Sequence, residues 1–369
     1  MNRIRYGTIL LVYIFSIFLF FDIAFGLLFG NEPMANDRYQ PNDTLNHVFR
    51  KNYSELINRH PEIGSYIFKT NSLGLKNDEI SFTKNTNTKR ILLIGDSFVE
   101  SYDPNKSIKA MLLRHLNKNM LNIELINAGV GTYSPILHYF HYKYFLKSYN
   151  PDVVIICVDL TDIRDDYYYS TLLKYDNKDK EKVIGVGNNQ NLKREITLNG
   201  MIKKNPIFSK IWLSALLSKY SNIFNYVIFA PRKERWWRNW GDKTLIKNYP
   251  VADYNSVANG QHKNSDDAYN VTFKYLDMLI EELKDDNIKI VFSIYPHLHT
   301  LQNKEIHYSN KMMKYAEKRN IPMHDLYYEI LNEKNYEDYY LSGDIHFNYS
   351  GIEFWGINLA KFINSISIM

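Results

Sequence analysis

Cysteine is almost absent. Cys157 stands alone among 369 residues, which excludes an internal disulfide and leaves no redox signature. It sits in the apolar run Val153–Val158, the setting of a buried small hydrophobe. With 11 prolines and 16 glycines, the composition is neither fibrous nor low-complexity, and there is no internal repeat. Charge of one sign is scarce as well: 45 basic against 40 acidic residues leave a net +5. That balance, with no zinc-knuckle, aromatic ribonucleoprotein or basic-stripe signature, argues against nucleic acid as a partner. A hydrophobic fraction of 45% suits a globular core, and the length fits one main domain with additions.

Apolar character is concentrated at the N-terminus. Arg3 and Arg5 precede an uncharged stretch from Gly7 to Phe21, and after Asp22 the apolar run resumes to Gly30. As a helix this stretch spans a hydrocarbon core of about 30 Å. Basic residues before it and the acidic, polar segment Asn31–Asp37 after it orient the chain with its N-terminus inside, so Asp22 falls toward the outer end. A cleaved signal peptide is the rival, because Ala24 and Gly26 form a small-x-small site, although bulky apolar residues continue beyond it. Either way the rest of the chain is extracytoplasmic, and the anchor reading makes it a single-pass membrane protein.

Residues 31–89, polar and rich in Asn, read as a stalk or leader. From Arg90 the pattern alternates between strand and helix. Arg90–Ile94, Ile123–Ile126, Val153–Val158 and Ile288–Ile294 are strand candidates, and the third is continuously apolar, as a strand buried on both faces is. Between them lie helical stretches at Ser107–Leu116, at about Pro135–Tyr149, and on the stripe Tyr269, Phe273, Leu276, Ile280 and Leu283. Ile352, Trp355, Leu359, Phe362 and Ile363 mark a last amphipathic helix. Alternation of this kind predicts βαβ units, and hence an α/β/α sandwich around a short parallel sheet. The alternation breaks over about 164–262, where Lys- and Asn-rich loops surround Phe208–Ile228 and the segment Pro231–Lys243. This reads as a helical insertion, a cap or lid.

Gly95-Asp96-Ser97 follows directly on a buried strand, where open parallel sheets bind their ligands. By itself the tripeptide is also an ordinary turn. A serine nucleophile needs a base, and the base an orienting carboxylate. Asp344-Ile345-His346 supplies both, because residues i and i+2 of an extended segment point the same way. Gly343 and Asn348–Gly351 favour a loop there; the plainer reading is a loop before a helix, with a capping Asp and a surface His.

Taken together, these segments resemble the SGNH (GDSL-type) hydrolase superfamily, whose blocks occur here in the family's order. Gly95-Asp96-Ser97-Phe98 matches the first block and Asn127–Ser134 (NAGVGTYS) the second. Val158–Asp162 sits where the third belongs, and Asp344-Ile345-His346-Phe347-Asn348, with Gly351, matches the last. Asn71-Ser72-Leu73-Gly74-Leu75 is similar to a leader found in membrane-anchored bacterial members associated with surface polysaccharides. The resemblance covers about residues 65–365. It implies a flavodoxin-like sheet, a triad of Ser97, His346 and Asp344, and an oxyanion hole from backbone N–H groups of Ser97 and Thr132 or Gly131.

Two departures stand out. Thr132 occupies a position that is usually glycine, and Thr161 stands where the family offers an asparagine donor. Thr161 is therefore a candidate third donor, shorter than a carboxamide. Asp162 is read as a cap for the turn into Ile163–Tyr169.

The reaction implied is acyl transfer, from an acyl ester donor to water or to a glycan hydroxyl, with no cofactor. The rival from another class is a catalytically decayed scaffold that binds glycan or helps assemble polysaccharide. His297 and His299, and His138 and His141, have spacings a metal could use but lack a clustered third ligand; His297 and His299 follow a strand end and suit the rim of the site. Trp236, Trp237 and Trp240, interleaved with Arg232, Lys233, Arg235 and Arg238, suit either a membrane surface or sugar rings, or else simple packing.

Overall fold

A computed structural model describes residues 2–29, 38–58, 60–116, 122–179, 181–187, 213, 216–217, 221, 223 and 254–366. They fall into two compact units. One holds residues up to 37, 57–61 and 189–248; the other holds 38–56, 62–188 and 249–369.

The apolar runs form the centre of the second unit. β1 (Thr88–Ile94), β2 (Asn122–Asn127), β3 (Val153–Val158), β4 (Lys289–Ile294) and β5 (Met323–Asp325) make a five-stranded sheet. Its spatial order is β5-β4-β3-β1-β2, and every pairing is parallel. All six residues of β3 are buried, which accounts for its unbroken apolar sequence. Ile91, Leu93, Val153, Ile155 and Cys157 share one hydrophobic cluster with Met111 and Leu112 and with Trp355, Leu359 and Ile363. The helices Ile108–His115 and Tyr349–Ser365 therefore cover that face and pack on each other. Helix Ser265–Asp285 packs against Pro135–His141, Thr161–Ser170 and β4; its Tyr269, Leu276, Ile280 and Leu283 are buried, and Phe273 half-buried. The chain is thus an α/β fold around a parallel sheet. Strand order reverses between β1 and β3, and in such sheets that point opens a crevice beyond the strands' carboxyl ends.

The expected stalk is different. Residues 38–56 and 62–89 belong to the same unit as the sheet. Its polar composition conceals aromatic residues at the positions that count: Phe49, Tyr66 and Phe68 are buried, with Leu45 and Leu75. The expected insertion also divides. Residues 164–188 and 249–262 stay with the sheet unit. Within them, helix Thr161–Ser170 runs on and a ribbon pairs Leu173–Tyr175 with Val183–Val186. Most of Phe208–Ile228, and all of Pro231–Lys243 with Trp236, Trp237 and Trp240, lie outside the described residues.

In the other unit, the N-terminal helix Asn2–Phe29 contains one stretch, Tyr6–Ala24, long and apolar enough to cross a membrane, with mean hydropathy 2.2. Asp22 is the exception on it. It is buried, and its Oδ1 accepts from the Ser221 hydroxyl (2.7 Å) and the Ile223 N–H (2.9 Å).

Candidate active site

The site begins where β1 ends. After Gly95 the chain turns into the short helix Ser97–Glu100, and Asp96 caps it: Asp96 Oδ1 accepts from the Phe98 N–H and the Tyr295 hydroxyl, both at 2.9 Å. Burial, and then the charge of Asp159, push the Asp96 carboxyl up to about 7. The cap leaves Ser97 on the first helical turn, half-buried, with its hydroxyl free to be approached.

His346 arrives from the loop before the C-terminal helix. Its Nε2 lies 2.8 Å from Ser97 Oγ, and its Nδ1 lies 2.6 Å from Asp344 Oδ1. Asp344 also accepts from the His346 backbone N–H at 3.2 Å, so carboxylate and ring are locked as a pair. Burial alone would raise the Asp344 carboxyl, but the hydrogen bonds and charge of His346 hold it well below the usual carboxylate range. A carboxylate only accepts, which puts the imidazole proton on Nδ1 and leaves the Nε2 lone pair for Ser97. The Phe98 ring packs against His346 at 4.7 Å between centroids and limits its rotation. The segment from Gly343 to Phe347 forms the expected loop, but Tyr349–Gly351 are already the first turn of the helix that follows, which Asn348 caps by accepting from the Ser350 and Gly351 N–H groups.

The second block follows β2 and lies on the Ser97 helix. A Cβ on Gly129 would fall 2.4 Å from the Glu100 backbone nitrogen, so only glycine allows this approach. The next four residues make a β-turn closed by Tyr133 N–H to Val130 O at 3.1 Å. Its second residue, Gly131, has no positive φ, whereas its third, Thr132, has φ +64°. This is the pattern of a type II turn, which takes glycine at its third position; a β-branched residue there costs of order 1–3 kcal/mol. Glycine at 131 serves another end: a Cβ there would lie 2.5 Å from the Tyr39 hydroxyl.

Among the candidate oxyanion donors the structure discriminates. The Gly131 N–H is taken by Glu100 Oε2 at 2.9 Å. Thr161, at the start of the helix after β3, donates both its N–H (2.8 Å) and its hydroxyl (2.6 Å) to Asp159 Oδ1. A hydroxyl has one proton, so the expected third donor is already committed. The backbone N–H groups of Ser97 and Thr132 have no hydrogen-bond partner among the described residues. Two of the expected donors are thus available and two are not.

Around this centre sit residues whose roles sequence patterns did not expose. Glu100, buried, accepts from the Tyr39 hydroxyl (2.9 Å) and pairs with Arg38 (3.1 Å). Lys76 donates to the carbonyls of Glu100 (3.1 Å) and Ser101 (2.7 Å) at the same helix's end, and burial lowers its ammonium to about 7 against the opposing pull of Glu100. Asn77 and Asn127 bond reciprocally, Nδ2 to O at 2.6 Å and N–H to Oδ1 at 3.0 Å. The signal for these was the block at Asn71–Leu75. Asn71 Oδ1 accepts from the Leu73 and Leu75 N–H groups, and this turn aims Lys76 and Asn77 inward.

His297, expected at the rim, is fully buried, with Nε2 at 2.7 Å from Asp159 Oδ2. Burial alone would raise Asp159, but His297 and Thr161 hold it below its ordinary value. Asp159, rather than Asp162, binds the first-turn amide of that helix; Asp162 accepts from the Asp159 N–H at 3.1 Å. His138 and His141 are buried core residues, each lowered to about 3, in both cases by burial and for His138 also by His141. Among the described residues no cluster of three or more His, Cys, Asp or Glu side chains is placed to hold a metal ion.

No protein-family model and no curated protein matches this chain. Among solved structures it is similar to a lipase/acylhydrolase from Enterococcus faecalis, at 11% identity and TM-score 0.39, covering 75% of this chain and 96% of that one. It is also similar to an acetyl xylan esterase, at 17% identity and TM-score 0.40, covering 75% and 98%. A two-domain esterase active on acetylated mannans aligns at 12% identity and TM-score 0.36, over 76% of this chain and 50% of that one. Likenesses this distant assign no activity, which has to be argued from the chain's own residues.

Proposed function

We propose that this chain is a serine-dependent esterase or O-acyltransferase, anchored by its N-terminal helix, that acts on acyl groups, acetyl above all, of an extracytoplasmic glycan. The observation that carries the reading is the relay from Ser97 Oγ to His346 Nε2 (2.8 Å) and from His346 Nδ1 to Asp344 (2.6 Å). Both distances fall within the reach needed for proton transfer and for orienting the base. The intact relay favours an enzyme over a decayed scaffold.

The steps follow from the donors and acceptors. His346 Nε2 takes the Ser97 proton as Oγ attacks the ester carbonyl carbon, and ionised Asp344 stabilises the imidazolium that forms. The developing oxyanion meets the Ser97 and Thr132 N–H groups, which need no reorganisation to receive it. His346 then returns the proton to the leaving alcohol, giving the acyl-enzyme. Water or a sugar hydroxyl, deprotonated by His346, completes the cycle as hydrolysis or transfer. The apolar helix and the glycan-associated leader block support the anchored, glycan-directed form of the reading.

The test uses the full chain in detergent with a chromogenic acetyl ester, with and without soluble glycan acceptors. Wild type should turn over, and Ser97→Ala should fall by at least about 1000-fold. An acetyl adduct on Ser97 should be detectable by mass spectrometry. Turnover unaffected by Ser97→Ala would sink the reading.

A further inference from the structure

The turn that carries Thr132 is held from outside its own block. Gly131 and Thr132 together present four backbone polar groups, and three have partners. The Gly131 N–H donates to Glu100 (2.9 Å), the Thr132 carbonyl accepts from the Tyr169 hydroxyl (3.0 Å), and the Gly131 carbonyl lies 3.0 Å from His47 Nε2. A carbonyl only accepts, so this bond takes the ring proton on Nε2; Nδ1, 3.1 Å from Asn46 Oδ1, then has no proton to give. In a trans peptide the C=O and the following N–H point in opposite directions. Fixing the Gly131 oxygen therefore also fixes the direction of the Thr132 N–H, the one group of the four left for a ligand.

The bond matters because the turn opposes it. A type II turn is converted to type I when the central peptide flips, which takes φ of the third residue from positive to about −90°. Glycine is at ease in the first form, but a β-branched residue strongly prefers the second. With threonine at 132, the unaided turn would flip and aim its N–H the wrong way. His47 is well braced to prevent it. The ring meets Tyr39 edge-on, with centroids 5.3 Å apart. The ring also meets Tyr133 edge-on at 5.2 Å, and the Tyr133 hydroxyl donates to the His47 carbonyl at 2.6 Å.

We propose that His47 is a positioning residue of the acyl-transfer site: it holds the Gly131–Thr132 peptide against a flip, so that the Thr132 N–H serves as an oxyanion donor although glycine is absent. The catalytic consequence rests on the acyl-transfer reading above; the orientation of the peptide does not.

Two readouts on the full chain test it. In a crystal structure of His47→Leu, φ of Thr132 should become negative. With the acetyl ester, His47→Leu should lower kcat by about 100-fold with KM changed by less than about threefold, at an unchanged thermal midpoint. His47→Gln places an amide donor near the position of Nε2 and should recover to within about tenfold of wild type, whereas the shorter His47→Asn should not. Adding Thr132→Gly to His47→Leu should also restore activity, because glycine tolerates the unflipped turn. Retention of φ near +64° in His47→Leu would overturn the proposal. Unchanged kcat in His47→Leu alongside an active wild type would do the same. A wild type with no Ser97-dependent turnover would instead remove the acyl-transfer reading, and the crystal structure alone would then decide whether His47 holds the peptide.

Discussion

Thr161 illustrates how little a residue's identity settles before its partners are known. Its hydroxyl points its only proton at Asp159, at 2.6 Å, and the Asp159 carboxylate is in turn held by buried His297 at 2.7 Å. Pulling that proton away would leave a buried carboxylate short of a charge-assisted bond, so Asp159 outcompetes a transient oxyanion. Thr161→Val should therefore leave kcat within about threefold of wild type, rather than lowering it by the roughly 100-fold or more expected on losing an oxyanion donor. The cost should appear in stability, at about 1–2 kcal/mol, since Asp159 keeps the Thr161 N–H but loses the hydroxyl. Turnover of the acetyl ester and a denaturation curve on the same samples separate the two. A large fall in kcat at unchanged stability would return Thr161 to the oxyanion hole.

Between elements, buried carboxylates act as caps across helix boundaries. Helix Pro135–His141 has no side-chain cap of its own, and its Ile136 N–H is taken instead by Asp166 Oδ1, at 2.9 Å, from helix Thr161–Ser170. Asp166 is buried, and burial pushes its carboxyl up to about 7. An unfolded aspartate titrates near about 3.9, so the folded state favours the protonated form. The sign follows: the stability this group contributes is fully present below about pH 4 and is lost as pH rises through about 7. Asp166→Asn keeps an acceptor for Ile136 without the charge. It should match wild type near pH 4 and exceed it by about 2–4 kcal/mol at pH 8, read from unfolding curves at both values. A constant difference across that range would show that Asp166 does not titrate in the folded chain.

At the scale of the molecule, the boundary of the sheet unit falls near Arg38, well before Arg90. Deleting residues 1–30 should leave the sheet unit folded, because no residue before Arg38 belongs to it. Deleting residues 1–77 should abolish cooperative unfolding or near-UV circular dichroism. That deletion strips Glu100 of Arg38 and Tyr39, strips Asn127 of Asn77, and removes the buried Phe49 and Phe68 from the unit's core. Equal cooperativity in both truncated chains would make residues 38–77 an appendage after all.

The sequence by itself determined what depends on local periodicity and short spacing. An unbroken apolar run such as Val153–Val158, set among alternating strand and helix patterns, fits a strand buried on both faces of a parallel sheet, so the sheet was legible. Asp344 and His346 are two residues apart, and their pairing is a property of the loop that carries them. Ser97 at the end of β1 was legible for the same reason. What only the tertiary structure decided are bonds between groups distant in sequence, for which no spacing rule exists. His47 and Gly131 are separated by 84 positions, Asp159 and His297 by 138. Residues 38–77 read as a stalk because their few aromatic residues follow no single period, yet burial depends on which surface a side chain meets and not on the polarity of its neighbours in sequence. The fate of each oxyanion candidate was decided in the same way. A hydroxyl or amide can give its proton only once, and which acceptor takes it is settled where the chain folds back on itself.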